Sequence, residues 1–122
     1  MCGIAGIVTF SDSGKQWMNF LKPATDVMQK RGPDAGNFFY EKNVGLGHRR
    51  LSIIDVSEQA NQPMFDNTGR YVIVFNGEIF NYRELKQELI QHGAVFNNQS
   101  DTEVILELYK KEKTNFVNKL NG

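Results

Sequence analysis

The sequence predicts one domain of mixed class, α/β or α+β. Its 122 residues suit a single domain, and its 40% hydrophobic and 23% charged residues lie near the norm for globular proteins. Strand-like segments cluster in the middle of the chain, whereas helical patterns lie between them and after them. The hydrophobic pattern alone does not predict the order in which the strands pair.

The first third of the chain predicts a strand, a helix and a loop. Residues 3–10 are apolar and β-branched, as in a buried strand, and residues 11–14 form a turn. Residues 15–30 predict a helix, which Pro23 weakens near its middle because proline lacks a backbone donor. Its apolar face would consist of Trp17, Phe20, Leu21 and Met28. Two glycines and a proline make residues 31–36 a loop.

The remaining segments predict four short strands followed by three helices. The strands are expected at residues 37–41, 44–47, 51–55 and 70–75, with a polar loop over 57–66. A helix begins at Asn81 or Tyr82 and ends near His92, where Gly93 caps it. Ser100 or Asp101 caps the next helix, and Thr114 starts a short last one.

Charge and cysteine content limit the function classes. Fourteen basic and fourteen acidic residues give a formal net charge of zero, which argues against a nucleic-acid partner. No apolar segment near the start is long enough to span a membrane. Cys2 is the single cysteine, so an internal disulfide is excluded and a reducing, cytoplasmic location is expected. His48 and His92 lack metal-ligand spacing, and no metal or cofactor is expected in this chain.

Cys2 is the first candidate for chemistry. Methionine aminopeptidases remove Met1 when a small residue follows, which would leave a thiol and a free α-amine on one residue. An amine with a pKa of about 7.7–8.0 can act as the base that activates the thiol. The alternative is a cysteine that lies beside the start codon by chance.

Other candidates supply the remaining parts of an amide-cleaving site. Asn76-Gly77 follows a predicted strand and could form an oxyanion hole, or only a hairpin turn. Arg50 could hold a carboxylate, or lie on the surface. Glu78 and Asp101 could accept an ammonium group, or be a solvated side chain and a helix cap. Together these groups suit glutamine or asparagine.

Five segments resemble one known family, the class II (N-terminal nucleophile) glutamine amidotransferases, and within it the glutaminase domain of the asparagine synthetase B branch. They are Met1-Cys2-Gly3-Ile4, Arg31-Gly32-Pro33-Asp34, His48 to Asp55, Asn76 to Tyr82 and Ser100 to Ile105. The resemblance implies an α+β fold, a four-layer α-β-β-α sandwich. It also implies L-glutamine as substrate and ammonia transfer to an ATP-dependent synthetase domain in cis that amidates aspartate.

The resemblance also implies a role for each matching residue. Cys2 would be the nucleophile, and Asn76 and Gly77 would stabilise the oxyanion. Arg50 would hold the glutamine carboxylate, with the main chain of Leu51, Ile53 and Ile54 lining the pocket. Glu78 and Asp101 would contact the α-amino group. ATP and magnesium are expected only in the synthetase domain.

The sequence ends at Gly122, where family members continue into further strands and the synthetase domain. Residues 1–122 are therefore expected to be a truncated glutaminase domain, marginally stable or self-associating into a homo-oligomer unless a partner completes the sheet. Three alternatives stay open: a catalytically silent glutamine-binding module, a hydrolase of peptides or other acyl-amides, and an amidotransferase whose acceptor is another carboxylate, such as a sugar acid.

Overall fold

The computed structural model describes residues 1–53 and 55–122, which form two compact units. The first unit contains residues 1–53, 61–63 and 74–76, and the second contains 55–60, 64–73 and 77–122. Both units combine short antiparallel strands with helical segments. The α+β class is therefore confirmed.

A three-stranded antiparallel sheet organises the first unit. Its strands are β1 (Gly3–Val8), β2 (Ala35–Glu41) and β3 (Val44–Arg50). Their order is β1-β3-β2, so β3 is the central strand. Gly3 pairs with Arg49 and Ala35 pairs with Arg50, which brings the first residues of β1 and β2 to the last residues of β3.

One face of this sheet is covered by helix α1 (Leu21–Asp26), which packs against β1 and β3. Leu21 and Thr25 are fully buried in the contact. The helix approaches closely because β3 has glycines beneath it. A Cβ on Gly45 would lie 2.9 Å from Leu21 Cδ2, and one on Gly47 would lie 3.1 Å from Thr25 Cβ.

The predicted helix over 15–30 has different limits in the structure. A 3₁₀ helix covers Asp12–Phe20, and α1 then runs only from Leu21 to Asp26. The break puts Pro23 in the first turn of α1, where a backbone donor has no partner within the helix and its absence costs little. The predicted apolar face is wrong for Trp17 and Phe20, which are 56% and 57% exposed.

Two predicted strands also differ. The segment 51–55 is wrong as a strand in its described residues, because β3 runs on to Arg50 and the chain then leaves the sheet. The strand over 70–75 shortens to β5 (Val72–Ile73), which pairs with β4 (Met64–Phe65) in the second unit. Arg70 and Tyr71 belong to the turn that joins the two strands, where the Asp66 N–H donates to the Tyr71 carbonyl oxygen at 3.0 Å.

The second unit contains the two longest α-helices of the chain. Helices α2 (Tyr82–Gln91) and α3 (Asp101–Glu112) contact one another, and 3₁₀ helices cover Glu58–Ala60 and Lys113–Lys119. The predicted ends are confirmed: Gly93 has φ +89° after α2, and the Ser100 hydroxyl accepts the Glu103 N–H at the start of α3. None of the helices in the described part of the chain is long and apolar enough to cross a bilayer.

Candidate active site

Cys2 lies immediately before β1, at the edge where β3 ends. Its Sγ is 3.4 Å from the main-chain N of Leu51, which donates to it, and 3.6 Å from the Leu51 carbonyl oxygen. Continuing the β1–β3 register by one residue sets Cys2 opposite Arg50. The sheet therefore brings together a half-buried thiol and the chain that leaves β3. Leu51, one of the predicted pocket-lining residues, is thus a neighbour of the thiol.

The loop before β2 holds this edge in place. Arg31 Nε donates to the Cys2 carbonyl oxygen at 3.3 Å, and the Asp34 carboxylate accepts the Ser52 main-chain N–H at 2.7 Å. Glycine is required at position 32 for the loop to lie this close to the end of β3, since a Cβ there would come within 2.6 Å of the Arg50 main-chain nitrogen. The Arg31–Asp34 segment thus contacts the main chain of Cys2 and that of Ser52, just after β3.

Arg50 is buried, with only 7% of its surface exposed. Its Nη1 donates to Asn61 Oδ1 at 2.7 Å, which orients the guanidinium group. A fixed, largely desolvated guanidinium is suited to binding a carboxylate by paired hydrogen bonds. The surface-arginine alternative is therefore wrong.

His48 connects β3 to the segment that precedes Asn76. Its Nε2 lies 3.3 Å from the Phe75 carbonyl oxygen, and Gln62 Oε1 accepts the Phe75 N–H at 2.5 Å. Burial is the main cause that lowers the pKa of His48 from 6.5 to about 4, and the charge of Arg50 lowers it further. His48 is thus neutral at physiological pH. Asn76 itself is exposed.

The second unit carries Gly77, Glu78 and Asp101. The Asp101 carboxylate is buried and accepts the Ile79 main-chain N–H at 3.0 Å, which ties the segment after Glu78 to the start of α3. Ser100, and not Asp101, provides the side-chain cap of α3. Gly77 and Glu78 are both exposed.

Of the two other predicted pocket residues, Ile53 is 73% exposed, and Ile54 lies outside the described residues. Among the described residues, no group of His, Cys, Asp and Glu side chains could hold a metal ion. Asn61 and Gln62 were missed by the sequence analysis, because polar residues in an irregular loop give no periodic signal.

The sequence predicts a thiol-dependent amide-cleaving domain, and the structure places a cysteine thiol and a buried arginine at one end of an antiparallel sheet. Comparison with known families makes the assignment specific. The family described as "Glutamine amidotransferase domain" matches residues 1–122, and the chain belongs to this family.

Several curated relatives are similar over the whole chain. Asparagine synthetase [glutamine-hydrolyzing] 1 and 2 of Bacillus subtilis (strain 168) are 42% and 40% identical to 100% of this chain, which covers 20% and 16% of their lengths. Amidase chry2 of Gibberella zeae is 37% identical over 100% of this chain and 20% of its own length. The chain thus spans about a fifth of the length of the curated relatives it matches.

Proposed function

We propose that residues 1–122 form a glutaminase domain, in which Cys2 hydrolyses L-glutamine to glutamate and ammonia. The observation that carries the proposal is the Cys2 thiol, held 3.4 Å from the Leu51 main-chain nitrogen directly after Arg50, in a chain that belongs to the glutamine amidotransferase family. The names of the Bacillus subtilis relatives support glutamine as the amide that is cleaved.

Activation of the thiol would begin with removal of Met1. The Met1 residue is 74% exposed, so an aminopeptidase could reach it. The new α-amine of Cys2 would take the thiol proton, because its pKa lies close to neutrality.

The reaction then has two stages. The sulfur attacks the side-chain amide carbon of glutamine, and the tetrahedral oxyanion collapses as the C–N bond breaks and the amine's proton leaves with ammonia. Water attacks the resulting thioester, and the C–S bond breaks to give glutamate and the free thiol. Asn76 and the Gly77 N–H would stabilise the oxyanion in both stages.

Recognition of free glutamine would require contacts with its α-carboxylate and with its α-amino group. Arg50 would bind the α-carboxylate, with main chain at Leu51, Ile53 and Ile54 beside it. Glu78 and Asp101 would lie on the α-amino side, where Asp101 would act partly by fixing the Ile79 main chain. A peptide lacks the free carboxylate, so Arg50 favours glutamine over a peptide substrate.

The ammonia would be consumed by a synthetase domain outside residues 1–122. The relatives named asparagine synthetase favour aspartate as the acceptor, with ATP and magnesium acting in that domain. One relative is named Amidase chry2 and not asparagine synthetase, so another acceptor stays a second candidate. We also propose a four-layer sandwich fold, of which the three-stranded sheet and α1 would be one sheet and its covering helix.

The first test is intact mass spectrometry of the purified chain, before and after exposure to a glutamine analogue with an electrophile on its side chain. The proposal expects loss of Met1 and one covalent adduct, blocked by excess glutamine. Cys2→Ser should abolish both the adduct and ammonia release. Arg50→Lys should weaken protection by glutamine at least tenfold, because an ammonium group cannot form the paired hydrogen bonds.

The outcomes separate the competing functions. Protection by glutamine without ammonia release would identify a silent glutamine-binding module. An adduct that excess glutamine does not block would overturn glutamine as the substrate. Loss of Met1 with neither an adduct nor ammonia release would show that residues 1–122 are inactive alone.

A further inference from the structure

We infer that His48 and Gln62 are positioning residues that fix the main chain of Phe75, and thereby aim the Asn76 amide at the oxyanion. The inference rests on the proposed function for the role of Asn76. It assigns new roles to two buried side chains that do not touch glutamine in the proposed reaction.

Two side chains bind the main chain of Phe75, one at its carbonyl oxygen and one at its N–H. Phe75 directly precedes Asn76, so its φ and ψ set the direction in which Asn76 begins. The Phe75 carbonyl oxygen faces His48 Nε2 at 3.3 Å, and its N–H is bound by Gln62 Oε1 at 2.5 Å. Side chains hold both polar main-chain groups of this residue, which lies outside any strand.

The tautomer of His48 follows from its partner. A carbonyl oxygen only accepts, so Nε2 must carry the proton and Nδ1 must be the bare nitrogen of a neutral ring. Nδ1 is buried without a hydrogen-bond partner among the described residues, which a bare nitrogen tolerates better than an N–H would. Among the described residues, the contact with the Phe75 carbonyl oxygen is therefore the hydrogen bond that this ring makes.

Strand β3 sets His48 beside the rest of the candidate site. Residues two apart on a strand project from the same face, about 7 Å from one another. His48 and Arg50 therefore share the face opposite α1, because Gly45 and Gly47, at the odd-numbered positions of β3, face that helix. The same strand end also lies against the Cys2 thiol through Leu51. One rigid strand can thus fix the spacing between a carboxylate-binding group and the oxyanion segment.

The test compares His48→Leu, which removes the donor, with His48→Gln, which can return an N–H near the position of Nε2. Gln62→Leu removes the second contact and serves where His48→Leu does not fold. His92→Leu is the matched control, because His92 is the other histidine of the chain and lies exposed at the end of α2.

Two rates distinguish positioning of the oxyanion hole from general damage. Glutamine hydrolysis passes through an oxyanion, whereas alkylation of Cys2 by iodoacetamide displaces iodide and forms none. We expect His48→Leu and Gln62→Leu to lower kcat for glutamine by about tenfold to a hundredfold. Their alkylation rates should stay within about threefold of the parent, and His48→Gln should recover most of kcat.

Hydrogen–deuterium exchange across residues 74–76 supplies a readout that does not need turnover. Exchange at these residues should be faster in His48→Leu, return to the parent rate in His48→Gln and be unchanged in His92→Leu. That result supports the positioning role even if the parent chain releases no ammonia. In that case the proposed function fails and the inference about Phe75 stands. Unchanged exchange, or equal losses of hydrolysis and alkylation, would overturn the inference.

Discussion

Acidification should destabilise the first unit through His48. The imidazole is 1% exposed, and its pKa falls from 6.5 to about 4 in the folded chain. Because the folded state disfavours the proton, the stability that a neutral His48 preserves is complete above pH 6.5. It is lost progressively as the pH falls toward about 4.

The magnitude follows from the two pKa values. A shift from 6.5 to about 4 corresponds to a limit of about 3 kcal/mol. Linkage gives a loss of about 2 kcal/mol between roughly pH 7.5 and pH 5. Burial is the main cause, and the nearby charge of Arg50 acts in the same direction. The cross-strand neighbours of His48, Ile4 and Asn37, carry no charge.

The assay is urea denaturation followed by circular dichroism across this pH range, for the parent chain and for His48→Gln. Every other titrating group is common to both proteins, so the difference between their curves isolates His48. The free energy of unfolding of the parent should fall more steeply, by about 2 kcal/mol. Parallel curves would refute the buried, neutral histidine and the reasoning built on it.

Four further substitutions, one of them a control, test the packing of α1, the cap of α3 and the main-chain contacts of Glu103 by urea denaturation. Gly47→Ala should cost about 1–3 kcal/mol because its Cβ meets Thr25, whereas Gly6→Ala should be nearly neutral because its nearest contact would be 3.7 Å away; equal effects would contradict the close approach of α1. Ser100→Ala should cost about 1 kcal/mol through loss of the α3 cap, and no change would show that the cap is unimportant. Glu103→Gln should cost about 1–3 kcal/mol, because its carboxylate accepts two main-chain N–H groups at 2.8 and 2.9 Å and an amide would turn a donor toward one; a stability within error of the parent would argue against these bonds.

Local signals predicted the helix ends of the second unit well. Gly93 and Ser100 end and begin helices through backbone preferences that depend on few neighbours, so the sequence alone placed these boundaries. The predictions failed where a partner decides the outcome. Trp17 and Phe20 read as an apolar face, yet hydrophobicity does not say whether anything covers them.

The residues of the candidate site likewise divide into those that the sequence identifies and those that only the fold identifies. Cys2 and Arg50 could be named from the motifs and from the chemistry of their side chains. The contact between Cys2 and Leu51 joins residues 49 positions apart, and strand register creates it. The roles of Asn61 and Gln62 depend on their contacts with Arg50 and Phe75, which form only in the folded chain. No spacing rule in the sequence connects those pairs.

Along β3, Gly45 and Gly47 face α1, and His48 and Arg50 face the opposite side. Because the two faces alternate, the length of the strand is as important as its composition. Substitutions at Gly45 or Gly47 should affect the seating of α1, whereas those at His48 or Arg50 should affect chemistry, so each face can change separately. Loss or gain of one residue within the strand would exchange the two faces at once, because side chains alternate with a period of two. Related chains can therefore diverge in the residues of β3 more readily than they can accept an insertion or a deletion there.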